Sequence, residues 1–300
     1  MLQLYFKSFT NFYFFILLAM IFPASYIIGH TILRQAFNSN HYNSATLITP
    51  PVAVCTLTDA TVSQCASSAV LNVDPGYSNY TWNNGSTSTS ITVTSSGTYW
   101  WETVKLDQNA VVNGDFENST DHYTGFTSSY TKNTSSLVSE ATYAVIQNPN
   151  SEHPQFGAIK DHTKGDGTGY MMVVNGASVA NVTVWTESIA VQANTTYVFS
   201  IWGTSVNSAS PGKLDFSINS VQLGNIQLTS TVGQWSNFTV RWNSGSNTSA
   251  TIGIVNQNTA SSGNDFALDD IVFAPVCRKN ITVNLYPNPA KPIITNLITH

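Results

Sequence analysis

The stretch TYVFSIW, residues Thr196–Trp202, decides the fold class of this 300-residue chain. Tyr197, Phe199 and Ile201 alternate with smaller side chains, and a hydrophobic period of two is the mark of a β-strand with one buried face. The stretch therefore predicts a strand that packs on an apolar core with one face and meets water with the other.

The same alternation recurs over residues 213–219 and 238–243. Turn-forming residues separate these strands, at Pro211-Gly212 and at Asn243-Ser244-Gly245. Several short strands joined by turns, with no helical pattern between them, are typical of an antiparallel β-sandwich. We therefore predict an all-β chain whose main domain, residues 108–275, is a jelly-roll β-sandwich.

Two motifs frame this domain, VNGDFE at Val112–Glu117 and NDFALDDIVF at Asn264–Phe273. This pairing resembles the carbohydrate-binding modules of families four and nine, which are galactose-binding-like jelly rolls. The resemblance implies a domain that does not catalyse a reaction, and that either binds glycans or spaces other domains.

A smaller β pattern precedes this domain, over residues 55–107. Asn84-Gly85 lies between alternating segments, which is a strong hairpin pattern. The sequences YTWNNG at Tyr80–Gly85 and ITVTSSGTYW at Ile91–Trp100 resemble the Ig-like or PKD-like surface repeats of exported Bacteroidetes proteins. The resemblance implies a small Ig-like sandwich that serves as a spacer, with Trp82 in its core.

The first 36 residues form the targeting segment. Lys7 precedes an uncharged apolar run over Phe12–Gly29, and a positive residue before such a run is typical of a secretory signal peptide. The run also approaches the length that spans a membrane, so an N-terminal anchor is the alternative. Residues 37–54 are predicted to be a linker, and residues 276–300 a linker or the start of a truncated domain.

The composition favours a secreted or cell-surface protein. Only 9% of the residues are charged, whereas about a quarter is usual, and the net charge is −5. The chain therefore lacks the basic surface of a nucleic-acid-binding protein. The oligomeric state is not indicated by the sequence.

Three cysteines, Cys55, Cys65 and Cys277, leave the disulfide pattern open. Cys55 and Cys65 are close enough in sequence to close a small loop, with Cys277 single. In the alternative, Cys277 pairs with one of the other two across the domain junction.

Carboxylates are scarce in this chain, yet both framing motifs contain them, at Asp115, Glu117, Asp269 and Asp270. First and last strands lie side by side in jelly rolls of this kind, and Ca²⁺ prefers such oxygen ligands. The resemblance implies a structural calcium ion held by the Glu117 side chain, the Asp115 backbone carbonyl and one of Asp269 and Asp270, of which we favour Asp270. Asp161 or Asp166 would add a loop ligand, and the predicted metal set is Asp115, Glu117, Asp161 and Asp270.

Sugar binding needs flat apolar faces together with planar hydrogen-bonding groups. Trp202 is the best candidate, because it falls on the face of its strand opposite Tyr197, Phe199 and Ile201. Trp185 and Arg241 are predicted to support it from the exposed faces of their own strands.

These observations predict a non-catalytic exported protein that binds a polysaccharide or other glycan through a calcium-stabilised jelly roll. No nucleophile–base motif is present, and acids on the first and last strands suit a metal better than a glycosidase pair. Two alternatives remain: a structural adhesin or stalk without sugar binding, and the non-catalytic part of a larger glycoside hydrolase.

Overall fold

The computed structural model describes residues 57–77 and 80–286, and it confirms the all-β fold class. Two short 3₁₀ helices, Leu106–Gln108 and Pro149–Ser151, accompany the strands. No helix in these two ranges has the length and apolarity needed to cross a membrane. The strands are β1 Ala60–Gln64, β2 Ala69–Asn72, β3 Tyr80–Trp82, β4 Ser90–Val93, β5 Gly97–Val104, β6 Thr131–Lys132, β7 Thr142–Ile146, β8 Met171–Asn175, β9 Val182–Ala190, β10 Thr196–Ser205, β11 Lys213–Ile218, β12 Val221–Gln227, β13 Ser236–Asn243, β14 Ser249–Asn256 and β15 Phe266–Leu285.

The main domain is a sandwich of two sheets. The first has the strand order β13-β10-β15-β8-β7-β6, and the second has the order β12-β11-β14-β9. Alternate residues of both sheets meet in one core, as the alternation in the sequence predicts. Its fully buried side chains include Tyr197, Phe199 and Phe273 from the first sheet and Trp185, Phe216 and Ile254 from the second.

The outer face of the first sheet is not fully exposed. Met171 and Val173 point away from the main core, yet both are 0% exposed. They belong to a second apolar cluster with Phe156, and Ile159 packs against it. The long loop between β7 and β8 therefore covers one end of this face, and the part beside β10 and β13 stays open.

A small module packs around its own core. Its strands are β1, β3, β5 and the last part of β15 in one sheet, and β2 with β4 in another. Trp82 and Trp101 are buried in this core with Ile281 and Val283, so the prediction that Trp82 is a core residue is confirmed. The resemblance to Ig-like repeats stays a prediction.

β15 joins the two parts of the chain. Its first residues pair with β8 and β10, and its last residues pair with β5 over Val276–Val283 and with β1 over Ile281–Leu285. In place of the linker or truncated domain predicted from residue 276, the segment up to Leu285 is a strand of the small module. The main domain therefore lies between two parts of the small module's sequence.

The cysteines exclude one of the two disulfide patterns that the sequence leaves open. Cys65 is exposed and free, whereas Cys277 is disulfide-bonded. The Cys55–Cys65 loop is therefore wrong, and the bond forms at Cys277. The predicted signal peptide or anchor (1–36), the linker (37–54) and residues 287–300 lie outside the described residues.

Candidate functional site

Trp202 lies on the open face of the first sheet, next to a β-bulge in β15. Ser200 pairs with Val272, but Trp202 pairs with Asp269, so β15 has two residues opposite Ile201. Asp270, one of these two, has a φ of 47°, which is in the left-handed region. Bulges of this kind redirect side chains and are common beside functional sites.

Three aromatic rings come together at this bulge. The imidazole of His162 stacks on the indole of Trp202, with ring centroids 3.9 Å apart and an angle of 19° between the planes. Trp235 meets the same imidazole edge-on at 5.5 Å, and its indole N–H donates to the carbonyl of Lys160 at 3.2 Å. Both tryptophans are partly exposed. We call Trp202, His162 and Trp235 the aromatic cluster.

Asp269 and Asp270 fix the loop that carries His162. Asp269 is 0% exposed, and its carboxylate accepts the backbone N–H groups of His162 at 2.7 Å and Thr163 at 3.1 Å. Burial, with the nearby charge of Asp270, raises the pKa of Asp269 to about 8. Asp270 contacts the His162 imidazole at 2.5 Å and accepts the Thr163 hydroxyl at 2.8 Å. Both acids therefore hold the aromatic cluster in place.

Two of the predicted metal ligands lie together next to this loop. A Cβ on Gly169 would lie 2.2 Å from Asp161 Oδ2 and 2.6 Å from Glu117 Oε1, so both carboxylates press against the same backbone. Glu117 also accepts the backbone N–H of Tyr170 at 2.7 Å and forms an ion pair with Lys164. Asp161 is 2% exposed, and its Oδ1 has no hydrogen-bond partner.

The carboxylates of Glu117 and Asp161 supply part of the ligand set that a hard cation needs. An unpartnered buried carboxylate oxygen beside a second carboxylate is a donor set that Ca²⁺ accepts. Asp270 is placed differently, because its carboxylate bonds to His162 and Thr163. The predicted ligand of Asp115 is its backbone carbonyl, which stays a prediction. Residues 57–77 and 80–286 contain no group of three or more His, Cys, Asp or Glu side chains suited to a metal ion.

The structure corrects the prediction for Trp185, which is 1% exposed and lies in the main core. The pairing of β9 with β14 shifts, since Ile254 pairs with Trp185 but Val255 pairs with Thr183. Val184 is the extra residue of this bulge, so Val184 and Trp185 both turn inward. Trp185 is therefore not available to a ligand.

Arg241 has a partner within the protein, and its role as a sugar ligand stays a prediction. Its side chain points outward from β13, as the alternation predicts, but it forms an ion pair with Glu102 of the small module. Arg278 binds the other oxygen of the same carboxylate at 3.1 Å. Arg241 therefore connects the main domain to the small module.

Sequence reasoning missed two members of the aromatic cluster. Trp235 directly precedes β13, and a tryptophan between a polar turn and a strand with one wet face was an available indication. His162 gave no local pattern, because its partners Trp202 and Asp270 lie 40 and 108 residues further along the chain. Only the fold brings them together.

No protein-family model matches the chain, and no curated protein matches its sequence. Solved structures do match part of the chain. A family 61 carbohydrate-binding module in complex with β-1,4-galactotriose is 15% identical, with 55% of this chain and 97% of that chain covered and a TM-score of 0.37. Carbohydrate-binding modules of families 4, 16 and 22 also match.

Enzymes are among the matched structures as well. An arabinose-bound α-L-arabinofuranosidase is 15% identical with a TM-score of 0.40, and the match covers 56% of this chain but only 26% of the enzyme. A Stig cyclase from Fischerella sp. is 11% identical, with 56% and 96% of the two chains covered and a TM-score of 0.40. Matches at these values carry no ligand and no activity over to this chain.

Proposed function

We propose that the chain is a non-catalytic carbohydrate-binding protein, and that the aromatic cluster is where it holds its glycan. The observation that carries this proposal is the pair of partly exposed tryptophans, Trp202 and Trp235, fixed around His162. Indole faces pack against the C–H surface of a sugar ring, and a rigid platform loses little entropy on binding.

Polar groups on the neighbouring strands support a sugar ligand. Asn237 pairs with Trp202 across β10 and β13, and its amide donates to the hydroxyl of Ser200 at 3.0 Å. Thr239 is hydrogen-bonded to Ser200 and to Asn237, and both Thr239 and Asn237 are exposed. Amides and hydroxyls beside an aromatic platform match the alternating donors and acceptors of a sugar's hydroxyl groups.

The acids nearest to the aromatic cluster have structural partners. Asp269 accepts two hydrogen bonds from the 162–163 backbone, and Asp270 is bound by His162 and Thr163. A glycosidase needs one carboxyl group free to donate a proton and a second free to act as nucleophile or base. The arrangement at this site therefore favours binding over hydrolysis.

A structural stalk is the competing function, and β15 favours it. The strand runs from the main domain into the small module without a linker, so the two parts extend the chain as one piece. A glycan array probed with the full chain separates the two functions. Binding to at least one polysaccharide supports the proposal, and binding to none would leave the stalk as the better account.

We further propose that Glu117 and Asp161 hold a structural calcium ion, with backbone carbonyls and water completing its six to eight ligands. The unpartnered Oδ1 of Asp161 supports this proposal. The exposed Asp166 accepts the N–H and hydroxyl of Thr168 instead, so Asp161 is the better loop ligand.

Metal removal tests the calcium proposal. EDTA should lower the melting temperature of the full chain by more than about 2 °C, because a bound ion stabilises the folded state by mass action, and added Ca²⁺ should restore it. Asp161→Asn should abolish this sensitivity, whereas Asp166→Asn should retain it. An EDTA effect that is absent in the wild type, or unchanged in Asp161→Asn, contradicts the proposal.

The proposed location is the cell surface or the extracellular space. The disulfide at Cys277 supports it, since such bonds persist in oxidising compartments. The apolar run over Phe12–Gly29 and the low charge point the same way. Fractionation of the producing cell tests the location, and recovery of the chain with the cytosolic fraction would contradict it.

A further inference from the structure

A polar pocket lies away from the aromatic cluster, at the start of β15. Asp265 directly precedes β15, four residues before Asp269, which is about 13 Å along the strand. The pocket has a volume of about 370 Å³, which is within the range of small-molecule sites. Seven of its ten lining residues are polar or charged, and they include Glu140, His153, Asn175 and Asp265.

The acidic side chains of this pocket have no counter-charge in its wall. Glu140 and Asp265 supply two carboxylates, and none of the described residues that line the pocket is a lysine or arginine. Asp265 is 4% exposed, and its carboxylate accepts only the Gly176 N–H at 3.1 Å and the Asn207 amide at 3.3 Å.

The pKa values of the pocket's titratable groups reflect the missing counter-charge. Burial, and then the charge of Glu140, raises the pKa of Asp265 to about 7, and burial also raises the pKa of Glu140. Burial lowers the pKa of His153, so its imidazole adds no positive charge near pH 7. An additional cation would therefore relieve both the repulsion and the cost of burial.

A neutral hydrogen-bond acceptor accompanies the two carboxylates. Asn175 is 4% exposed, its amide N–H donates to the carbonyl of Leu137 at 2.6 Å, and its Oδ1 has no hydrogen-bond partner. A metal ion is a poor match, because no group of three His, Cys, Asp or Glu side chains in the described ranges can hold one, and because the pocket is far larger than an ion. An anion would be repelled by the two carboxylates.

We propose that this pocket binds a small ligand through a protonated primary amine, with Glu140 and Asp265 as its carboxylate partners. An ammonium group carries one positive charge and three donors, which match two carboxylates and a neutral oxygen acceptor. An amino sugar and a lysine side chain both carry this group and are small enough for the volume of the pocket.

Titration of the full chain tests the proposal with probes that isolate the amine. D-glucosamine and Nα-acetyl-lysine amide carry the ammonium group, and N-acetylglucosamine is the neutral counterpart of the first. We expect at least one ammonium probe to bind, and N-acetylglucosamine to bind at least about tenfold more weakly than glucosamine if the sugar is the source. The probe that binds identifies the source.

Variants assign the binding to the pocket. Glu140 is exposed, so Glu140→Gln should fold and should weaken ammonium binding about tenfold, as expected for one charge-assisted hydrogen bond. Asp265→Asn should weaken it further, and the exposed acid Asp121, changed to Asn, is the matched control. Failure of both ammonium probes to bind, equal binding of the acetylated sugar, or equal affinity in Glu140→Gln would overturn the proposal.

Discussion

Trp202 and Trp185 are the same residue type in strands of one sandwich, and their surroundings give them different roles. Trp185 is 1% exposed and packs near Phe126, with ring centroids 6.3 Å apart. Trp202 is partly exposed, with His162 on one face of its ring. The alternation of the sequence placed Trp202 correctly but misplaced Trp185, because Val184 adds a residue to its strand.

The half-buried carboxylate of Glu187 gives a prediction at the residue scale. Burial raises the pKa of Glu187 to about 7, although its carboxylate accepts the Val112 backbone N–H at 3.2 Å. The folded state therefore binds this proton more tightly than the unfolded state does. The resulting stability is complete below about pH 4.5 and is lost as the pH rises through about 7.

Thermal melting of wild type and Glu187→Gln at pH 5 and pH 8 checks this sign. The glutamine cannot ionise, so the variant's melting temperature should rise relative to wild type between pH 5 and pH 8. If the melting temperature of the variant minus that of wild type is equal at both pH values, or lower at pH 8 than at pH 5, the raised pKa of Glu187 is contradicted.

At the scale of elements, the sequence predicted strands well and their partners poorly. The alternation over residues 213–219 and 238–243 corresponds to β11 and β13, with apolar residues inside and polar residues outside. The last part of β15 also alternates, with Ile281 and Val283 buried, but its partners in β1 and β5 lie more than 170 residues earlier. Such distant pairing has no local signal, so this segment was predicted as a linker or the start of a truncated domain.

The contact between β5, β13 and β15 gives a prediction at the same scale. Glu102 is 7% exposed and is bound by Arg241 and Arg278. Burial acts to raise the pKa of Glu102, but the hydrogen bonds and charges of the two arginines outweigh it and lower the pKa. Glu102→Gln should cost about 1–3 kcal/mol of unfolding free energy, because it leaves two guanidinium groups without their counter-charge.

Chemical denaturation measures this cost, and a nearby exposed ion pair supplies the control. Lys105 and Asp107 form a bridge at 3.1 Å, with the Asp107 side chain 69% exposed. Asp107→Asn should change the unfolding free energy by less than about 0.5 kcal/mol. Equal effects of the two substitutions would mean that the buried contact adds nothing specific at this junction.

At the scale of the whole molecule, the main domain is inserted into the small module. Residues 57–104 and 276–285 form one core, and β15 belongs to both parts of the chain. The described residues within 49–300 accordingly form one compact unit. A spacer joined by a linker would move independently of the main domain, whereas a shared strand fixes one relative to the other.

Truncation tests this arrangement. A chain that ends at Pro275 loses the strand between β1 and β5 and the buried side chains of Ile281 and Val283. We expect limited proteolysis to cleave residues 57–104 of the truncated chain while the sandwich of the main domain resists. Equal resistance of the small module in both chains would show that it folds without β15.

Calorimetric titration with the glycan that binds best tests the proposed function most directly. The account predicts that Trp202→Ala weakens binding by about tenfold or more, since it removes the aromatic platform. Trp100→Ala, a change at a partly exposed tryptophan of the small module, should leave the affinity unchanged. An affinity of Trp202→Ala equal to that of the wild type would contradict the assignment of carbohydrate binding to the aromatic cluster.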